Sequence, residues 1–161
     1  MVAKGEKMKT RGILPIVLWM CCTAAYAKTC DVTVHANDQM QFDQQAIHIA
    51  PNCSEVTLQL IHTGHLPASV MGHNWVLTRS ADYMAVAEAG DKAGVSDGYV
   101  PLHDPRVIAH TALIGGGQQT RVTFSTKALV PGEQYTYFCS FPGHWSVMKG
   151  TLTFGSPKKA S

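Results

Sequence analysis

Ten residues near the carboxyl end of the chain place three metal-binding side chains in one short segment. They read Cys-Ser-Phe-Pro-Gly-His-Trp-Ser-Val-Met, so Cys139, His144 and Met148 offer a thiolate, an imidazole and a thioether. This mixture of soft sulfur and borderline nitrogen suits copper that alternates between Cu(I) and Cu(II). A second imidazole would complete a trigonal site of two histidines and one cysteine, and His73 offers one upstream. The residues therefore predict one copper site if the two segments meet.

Both segments contain residues that permit unusual backbone geometry. Pro142 fixes φ and Gly143 adopts conformations that other residues resist, so the segment can turn between two adjacent strands. His73 must come from a separate loop. Gly72 allows close backbone approach there, so its carbonyl oxygen can lie on the axial side of the metal, opposite Met148.

Other chemistry fits these residues less well. A thioether is a poor ligand for zinc, which favours nitrogen, thiolate and carboxylate donors. A nucleophile and base formed by Cys139 and His144 would need an orienting group and an oxyanion hole. The apolar neighbours Phe141, Pro142 and Val147 supply neither. Haem attachment would require Cys-x-x-Cys-His, which the chain lacks.

Residues 1–27 have the order of a secretory signal: a basic start, a short apolar stretch at 13–22, and the cleavage motif Ala25-Tyr-Ala27. The apolar stretch is too short to span a bilayer. The residues before Cys21 and Cys22 do not form a good lipidation site. We therefore expect cleavage after Ala27, which leaves a single domain at 28–161 without a membrane anchor.

The charge balance of the cleaved chain excludes several partners. Four of the 13 Lys and Arg residues and one of the 11 Asp and Glu residues lie within 1–27. The cleaved chain then has nine basic and ten acidic residues, which gives it a net charge of −1. We therefore expect no binding to nucleic acid or to an anionic membrane surface.

Three cysteines remain after cleavage, in an oxidising compartment. Cys30 and Cys53 are predicted to form a disulfide, which leaves Cys139 unpaired. A free thiol in such a compartment is a hazard unless it is buried, reactive or bound to metal. A buried, inert cysteine is the alternative, and it would be favoured if His144 and Met148 were not close in sequence.

Alternation of apolar and polar residues predicts short, half-buried strands along the cleaved chain. The alternating or apolar-rich positions are Val32 and Val34; Ile47 and Ile49; Val56, Leu58 and Leu60; Val122 and Phe124; Tyr135 to Phe138; and Leu152 and Phe154. Turn signals such as Pro131-Gly132 separate these runs. Many short strands with one disulfide predict an all-β sandwich.

One alanine-rich stretch, residues 80–89, departs from this pattern. Ser80 is a suitable N-cap and Gly90 a suitable stop, so a short helix is predicted near 80–90. We expect it to lie as a flap outside the sandwich, followed by irregular chain as far as Pro105. We assign no chemistry to it.

Taken together, these motifs resemble the azurins, which are small blue-copper proteins of the bacterial periplasm. The resemblance covers essentially the whole cleaved chain and is carried by Asn37-Asp-Gln-Met-Gln-Phe42, Leu66-Pro67, Val70-Met-Gly-His-Asn-Trp75, Arg106-Val-Ile-Ala-His-Thr111, Gly132-Glu-Gln-Tyr135, Phe138-Cys139, Phe141-Pro-Gly-His144 and Met148-Lys-Gly-Thr-Leu152. It implies an eight-stranded Greek-key β-sandwich with one type 1 copper.

The resemblance also implies a role for individual residues. His73, Cys139 and His144 match the equatorial ligands, Met148 the axial thioether, and Gly72 the axial carbonyl. Further matches are the disulfide (Cys30, Cys53), the core tryptophan (Trp75), residues around the ligands (Asn74, Ser140, Phe141), two histidines that are not ligands (His62, His110) and an apolar docking patch (Met40, Leu66, Val70, Met71, Phe141, Gly143, Val147).

By the same resemblance, we expect a monomeric periplasmic electron carrier rather than an enzyme. It would exchange electrons through the exposed edge of the His144 ring, amid the docking patch, with a c-type cytochrome as donor and a periplasmic reductase as acceptor. Two residues depart from the family pattern. Trp145 stands where a small residue is usual and Asp91 where a methionine often joins the patch, so Trp145 is expected to alter docking or to shield the copper edge.

Two other functions would use similar residues. A copper storage or delivery protein without a redox role is the alternative, but such proteins usually expose Met-rich or His-rich tracts, and none is visible in the sequence. A copper-dependent reductase would require a second, catalytic copper site, for which one short domain offers no ligands.

Overall fold

The structure is a computed structural model that describes residues 1–2 and 28–155. The predicted secretory segment, its cleavage site and the cysteines at 21 and 22 lie almost entirely outside the described residues, as do residues 156–161. Those predictions therefore stay predictions. Within the described part of the chain, no helix has both the length and the apolar character needed to cross a membrane.

Eight strands form two sheets within residues 28–155. They are β1 (Thr29–Ala36), β2 (Ala46–Ile49), β3 (Glu55–His62), β4 (Val76–Arg79), β5 (Ala109–His110), β6 (Gln119–Ser125), β7 (Gln134–Phe138) and β8 (Lys149–Phe154). One sheet has the order β1-β3-β6 and the other β2-β8-β7-β4-β5. The β1–β3 and β2–β8 pairs are parallel and the remaining pairs antiparallel. The predicted all-β, eight-stranded sandwich is confirmed.

Alternate residues of the strands are buried, and these residues form the core between the two sheets. In β3 every second residue is buried, so Val56, Leu58 and Leu60 face inward while their neighbours remain more exposed. Trp75 is fully buried, and its ring stacks on Tyr137 at 5.6 Å between centroids and on Phe124 at 6.1 Å. These contacts join the two sheets and hold the chain on either side of Trp75 rigidly.

The predicted helix exists, but both of its predicted ends are wrong. Helix α1 is a single turn (Ala68–Met71), and helix α2 extends over Tyr83–Ala93. Ser80 is not the N-cap, because its N–H donates to the Gln134 carbonyl and its hydroxyl bonds Thr136, which extends the sheet contacts of β4. Asp82 occupies the N-cap position instead.

Gly90 does not end α2 but is buried inside it. A Cβ at this position would clash with the backbone carbonyl oxygen of Tyr99, so the absent side chain allows the helix to pack against the following segment. The helix ends at Gly94, which has a φ of 76°.

The cysteine pairing is as predicted. Cys30 at the start of β1 and Cys53 just before β3 form a disulfide, with a Cα–Cα distance of 5.8 Å. Among the described residues, Cys139 is the free cysteine, and it is buried.

Candidate metal centre

The β7–β8 hairpin positions the loop that carries Cys139, His144 and Met148. Cys139 directly follows β7 and Met148 directly precedes β8. The N–H of Cys139 donates to the Met148 carbonyl at 3.0 Å, which closes the base of the loop. Within the loop, the His144 N–H donates to the Phe141 carbonyl at 2.9 Å, and the Met148 N–H to the His144 carbonyl at 2.8 Å. The turn between them uses Gly143, whose φ is 80°.

His73 reaches the same place from the segment between α1 and β4. Its backbone exchanges two hydrogen bonds with Ile114, each 2.9 Å long. These bonds fix the backbone of His73 against the segment that follows β5. The imidazole is therefore presented from a part of the chain that is held independently of the β7–β8 loop.

The three donor side chains meet. The Sγ of Cys139 lies 3.7 Å from Nδ1 of His73 and 3.6 Å from Nδ1 of His144. All three donor atoms lie within 4.8 Å of one another, and the residues are 0%, 0% and 4% exposed. A metal about 2.0 Å from nitrogen and about 2.3 Å from sulfur, with trigonal angles, places the two atoms about 3.7 Å apart. The spacing therefore fits one shared ion.

A backbone contact fixes the tautomer of His73. Its Nε2 lies 2.8 Å from the carbonyl oxygen of Asn37, which can only accept a hydrogen bond, so Nε2 carries the proton. Nδ1 then presents its lone pair to Cys139. The Asn37 side chain accepts the N–H groups of Gln39 and Gln41, which shapes the turn that aims this carbonyl. Sequence reasoning missed this function of Asn37, although the turn residues around it were a signal.

Burial sets the protonation of the donors. Desolvation lowers the pKa of His73 from 6.5 to about 4. Burial also lowers the pKa of His144, so both imidazoles are neutral near pH 7. Burial raises the pKa of the Cys139 thiol from 9.0 to about 12. Because the metal binds the thiolate, metal binding must displace this proton.

Asn74 and Ser140 link the two donor segments. The side-chain NH2 of Asn74 donates to the Ser140 hydroxyl at 2.8 Å, and the Ser140 N–H donates to the Asn74 side-chain oxygen at 2.8 Å. Both residues are buried and each adjoins a donor residue. This two-way link fixes the position of His73 relative to Cys139.

Of the remaining predicted site residues, Gly72 and Phe141 lie beside the triad and Met148 is buried. The Gly72 carbonyl oxygen lies 3.7 Å from Cys139 Sγ, and a Cβ on Gly72 would lie 2.5 Å from the Ala68 carbonyl oxygen, so glycine is required there. Met148 is 1% exposed, between the loop and β8. The ring of Phe141 lies 4.7 Å from that of His144 between centroids.

Most residues of the predicted apolar patch are exposed. Val147 is 64% exposed and Val70 58%, although both are large and apolar. The others are either exposed (Met40, Leu66, Gly143) or partly buried (Met71, Phe141). Large apolar side chains exposed in this way are typical of an interaction surface when they lie together.

The two non-ligand histidines lie outside the triad. The ring of His62 packs 4.4 Å from that of His73, and its Nε2 lies 3.1 Å from a carboxylate oxygen of Asp38. His110 is partly buried on β5. Within the described residues, the metal-binding group formed by His, Cys, Asp and Glu side chains is His73, Cys139 and His144.

Trp145 and Asp91, which are expected to depart from the family pattern, contact each other. The indole Nε1 of Trp145 donates to Oδ2 of Asp91 at 3.3 Å. Trp145 is partly buried against a second apolar cluster that includes Tyr83 and Phe138. The indole thus contacts α2, and the two residues form one local contact.

Comparison with known proteins gives the family. The model of copper-binding proteins of the plastocyanin/azurin family matches residues 28–155. Azurin from Alcaligenes faecalis is 52% identical over 127 residues, which cover 79% of this chain and 99% of that protein. Azurin from Pseudomonas aeruginosa is 50% identical over 127 residues, which cover 79% of this chain and 86% of that protein.

A solved structure agrees with these relatives. An azurin from the obligate methylotroph Methylomonas sp. strain J matches with a TM-score of 0.76 and 46% sequence identity, covering 79% of this chain and 98% of that one. The cofactor that both the family and the buried donor set indicate is copper. The chain belongs to the plastocyanin/azurin family of copper-binding proteins.

Proposed function

We propose that this protein carries single electrons between redox proteins. Copper would be held by His73, Cys139 and His144, with the Met148 thioether and the Gly72 carbonyl as weaker donors. When bound there, the metal supplies a one-electron couple between Cu(II) and Cu(I). The observation that carries this proposal is the buried, pre-assembled triad with donor atoms within 4.8 Å of one another.

The chain's own contribution is to hold these donors in one arrangement. The β7–β8 hairpin, the Asn74–Ser140 link and the Asn37 carbonyl each restrain a donor segment through hydrogen bonds of 2.8–3.0 Å. Donors restrained in this way move little when the metal changes oxidation state. A small rearrangement lowers the barrier to electron transfer, and the hydrogen bonds around the ligands tune the potential.

The surface near His144 suits brief contact with redox partners. His144 is only 4% exposed, so its ring lies just beneath the loop surface that carries Val147 and Gly143. A small apolar surface favours encounters that bury little area and separate quickly. We propose a c-type cytochrome as donor, a reductase as acceptor and the periplasm as location, in keeping with a predicted secretory signal and the Cys30–Cys53 disulfide.

Burial of the donors favours a carrier over the alternatives. A storage or delivery protein must let a chaperone or chelator reach the metal, and an enzyme must let a substrate reach it. Cys139 and His73 are 0% exposed, so neither kind of molecule can contact these donor atoms without rearrangement of the loop. An electron needs no such access.

Repeated redox cycling in the presence of a competitor tests this function. The copper-loaded protein would be reduced with ascorbate and reoxidised with ferricyanide through several cycles, with a Cu(I)-specific chelator present. A carrier keeps its metal, so the visible absorbance should return fully after each cycle. Transfer of the copper to the chelator during the first reduction would instead support storage or delivery.

A further inference from the structure

Tyr83, the first residue of α2, contacts a sequence neighbour of every donor on the β7–β8 loop. Its ring meets Phe138 edge to face at 5.1 Å between centroids, and Phe138 directly precedes Cys139. The Nζ of Lys149 lies 4.9 Å from the centre of the Tyr83 ring, and Lys149 directly follows Met148. Both ends of the loop therefore pack against one side chain.

The hydroxyl of Tyr83 reaches the middle of the loop. It donates a hydrogen bond to the backbone carbonyl oxygen of Trp145, the residue that directly follows His144. The two rings also meet edge to face at 6.4 Å. Tyr83 is only 8% exposed, so its hydroxyl would lose a partner with little compensation from water if this bond broke.

Two further contacts join α2 to the same loop. Asp91, two turns along the helix, accepts the indole N–H of Trp145 at 3.3 Å. At Gly90, a Cβ would lie 3.7 Å from the Cβ of Ser140, so the helix backbone passes close to the residue after Cys139. Helix α2 is therefore packed along the loop.

We infer that Tyr83 is a positioning residue of the metal centre, acting with Asp91 through Trp145 to brace the loop that carries Cys139, His144 and Met148. The Asn74–Ser140 link fixes the start of the loop, and the loop's internal hydrogen bonds shape its turns. The Tyr83 hydroxyl attaches the middle of the loop, next to His144. This inference rests on the proposed function only in that the braced residues hold the copper.

The Tyr83→Phe variant removes the hydroxyl and keeps the ring contacts with Phe138 and Lys149. The matched control is Tyr135→Phe, which removes another buried tyrosine hydroxyl. That hydroxyl accepts the Val130 N–H at 2.7 Å, and within residues 28–155 it forms no hydrogen bond with the β7–β8 loop. Both variants lose one partly buried hydrogen bond, so loss of stability alone cannot distinguish them.

Two measurements compare these variants. In the metal-free proteins, hydrogen exchange of the His144, Val147 and Met148 amides, relative to β3 amides, should accelerate about tenfold in Tyr83→Phe and stay unchanged in Tyr135→Phe. In a chelator competition with Cu(II), Tyr83→Phe should bind about 10-fold to 100-fold more weakly, the range for residues that support metal ligands. The control should bind like the wild type.

Equal effects of the two tyrosine variants, or no effect of either, would overturn the inference. The exposed Asp91 offers a second test that does not risk the fold. Asp91→Ala should speed hydrogen exchange of the loop amides. Asp91→Asn keeps an acceptor oxygen, so its loop amides should exchange at the wild-type rate. If the wild type failed to bind copper, the proposed function would be wrong. The hydrogen-exchange comparison in the metal-free proteins would still test whether Tyr83 holds the loop in place.

Discussion

Loading the metal-free protein with copper should release one proton per ion at pH 7, and Cys139 should be its source. Burial raises the pKa of the Cys139 thiol to about 12, so nearly every molecule carries this proton before metal binds. Burial lowers the pKa of His73 to about 4 and also lowers the pKa of His144, so both imidazoles are already neutral at pH 7 and release no proton when metal binds. Because the thiolate is the ligand, the expected count is one.

This count fixes how binding depends on pH. The proton is a product of binding, so affinity strengthens as the pH rises. Between about pH 6 and about pH 8, the apparent binding constant should rise about tenfold per pH unit, which is about 1.4 kcal/mol. As the pH falls towards the pKa of His73 at about 4, the dependence should steepen, because that imidazole must then lose a proton as well.

Isothermal titration calorimetry in two buffers of different ionisation enthalpy measures the release directly. The difference in observed heat, divided by the difference in ionisation enthalpy, gives the number of protons per ion. The Cys139→Ala variant keeps both imidazoles and should release none. No release from the wild type, or the same release from the variant, would refute Cys139 as the thiolate donor.

Three further predictions concern the axial donor, acid stability and the disulfide. Met148→Leu should keep the blue colour and shift the reduction potential, because a thioether is a weak axial ligand; metal analysis that found no copper would contradict this role. In the metal-free protein, His73 binds a proton with a pKa of 6.5 in the unfolded state but of about 4 in the folded state. Below about pH 6.5 protons therefore bind preferentially to the unfolded state, and the free energy of unfolding falls by up to about 3 kcal/mol as the pH drops to about 4. Urea unfolding of His73→Gln should show a correspondingly flatter pH dependence, and an unchanged one would count against the buried, neutral imidazole. Replacing Cys30 and Cys53 with serine should lower the free energy of unfolding by roughly 3 kcal/mol, because the disulfide closes a loop over a sequence separation of 23 residues. If chemical denaturation showed a decrease of less than about 1 kcal/mol, the disulfide would not stabilise the fold by closing this loop.

The strands were predictable because their burial follows the residue period. In β3 the apolar positions coincide with the buried ones, since alternate side chains of a strand face opposite sides. The disulfide followed from counting cysteines in an oxidising compartment. Cys139, His144 and Met148 could be grouped because a single hairpin loop contains all three, so their proximity is set by local sequence.

The ends of α2 could not be predicted because tertiary contacts decide them. Ser80 has the side chain of an N-cap, but its backbone and hydroxyl bond to β7 instead. Gly90 has the character of a helix stop, but its missing Cβ allows α2 to pack against the Tyr99 carbonyl. In both cases a contact distant in sequence outweighs the local preference.

The meeting of His73 with the β7–β8 loop also depends on distant contacts. The Ile114 and Asn37 backbones position His73, and neither residue carries a metal-binding side chain that would mark it. The need for a second imidazole suggested His73, and the family resemblance supported it, but spacing in the sequence could not show that His73 lies close to Cys139. The contact between Trp145 and Asp91 was likewise invisible in sequence, where the two stood only as separate departures from a pattern.

The visible spectrum of the protein spanning residues 28–161, loaded with Cu(II) and then treated with ascorbate, tests the central claim most directly. We expect an intense blue thiolate–copper band that bleaches on reduction and returns on reoxidation, and that is absent from Cys139→Ser. A colourless protein that still bound copper, or a Cys139→Ser variant that stayed blue, would contradict a redox centre built on Cys139.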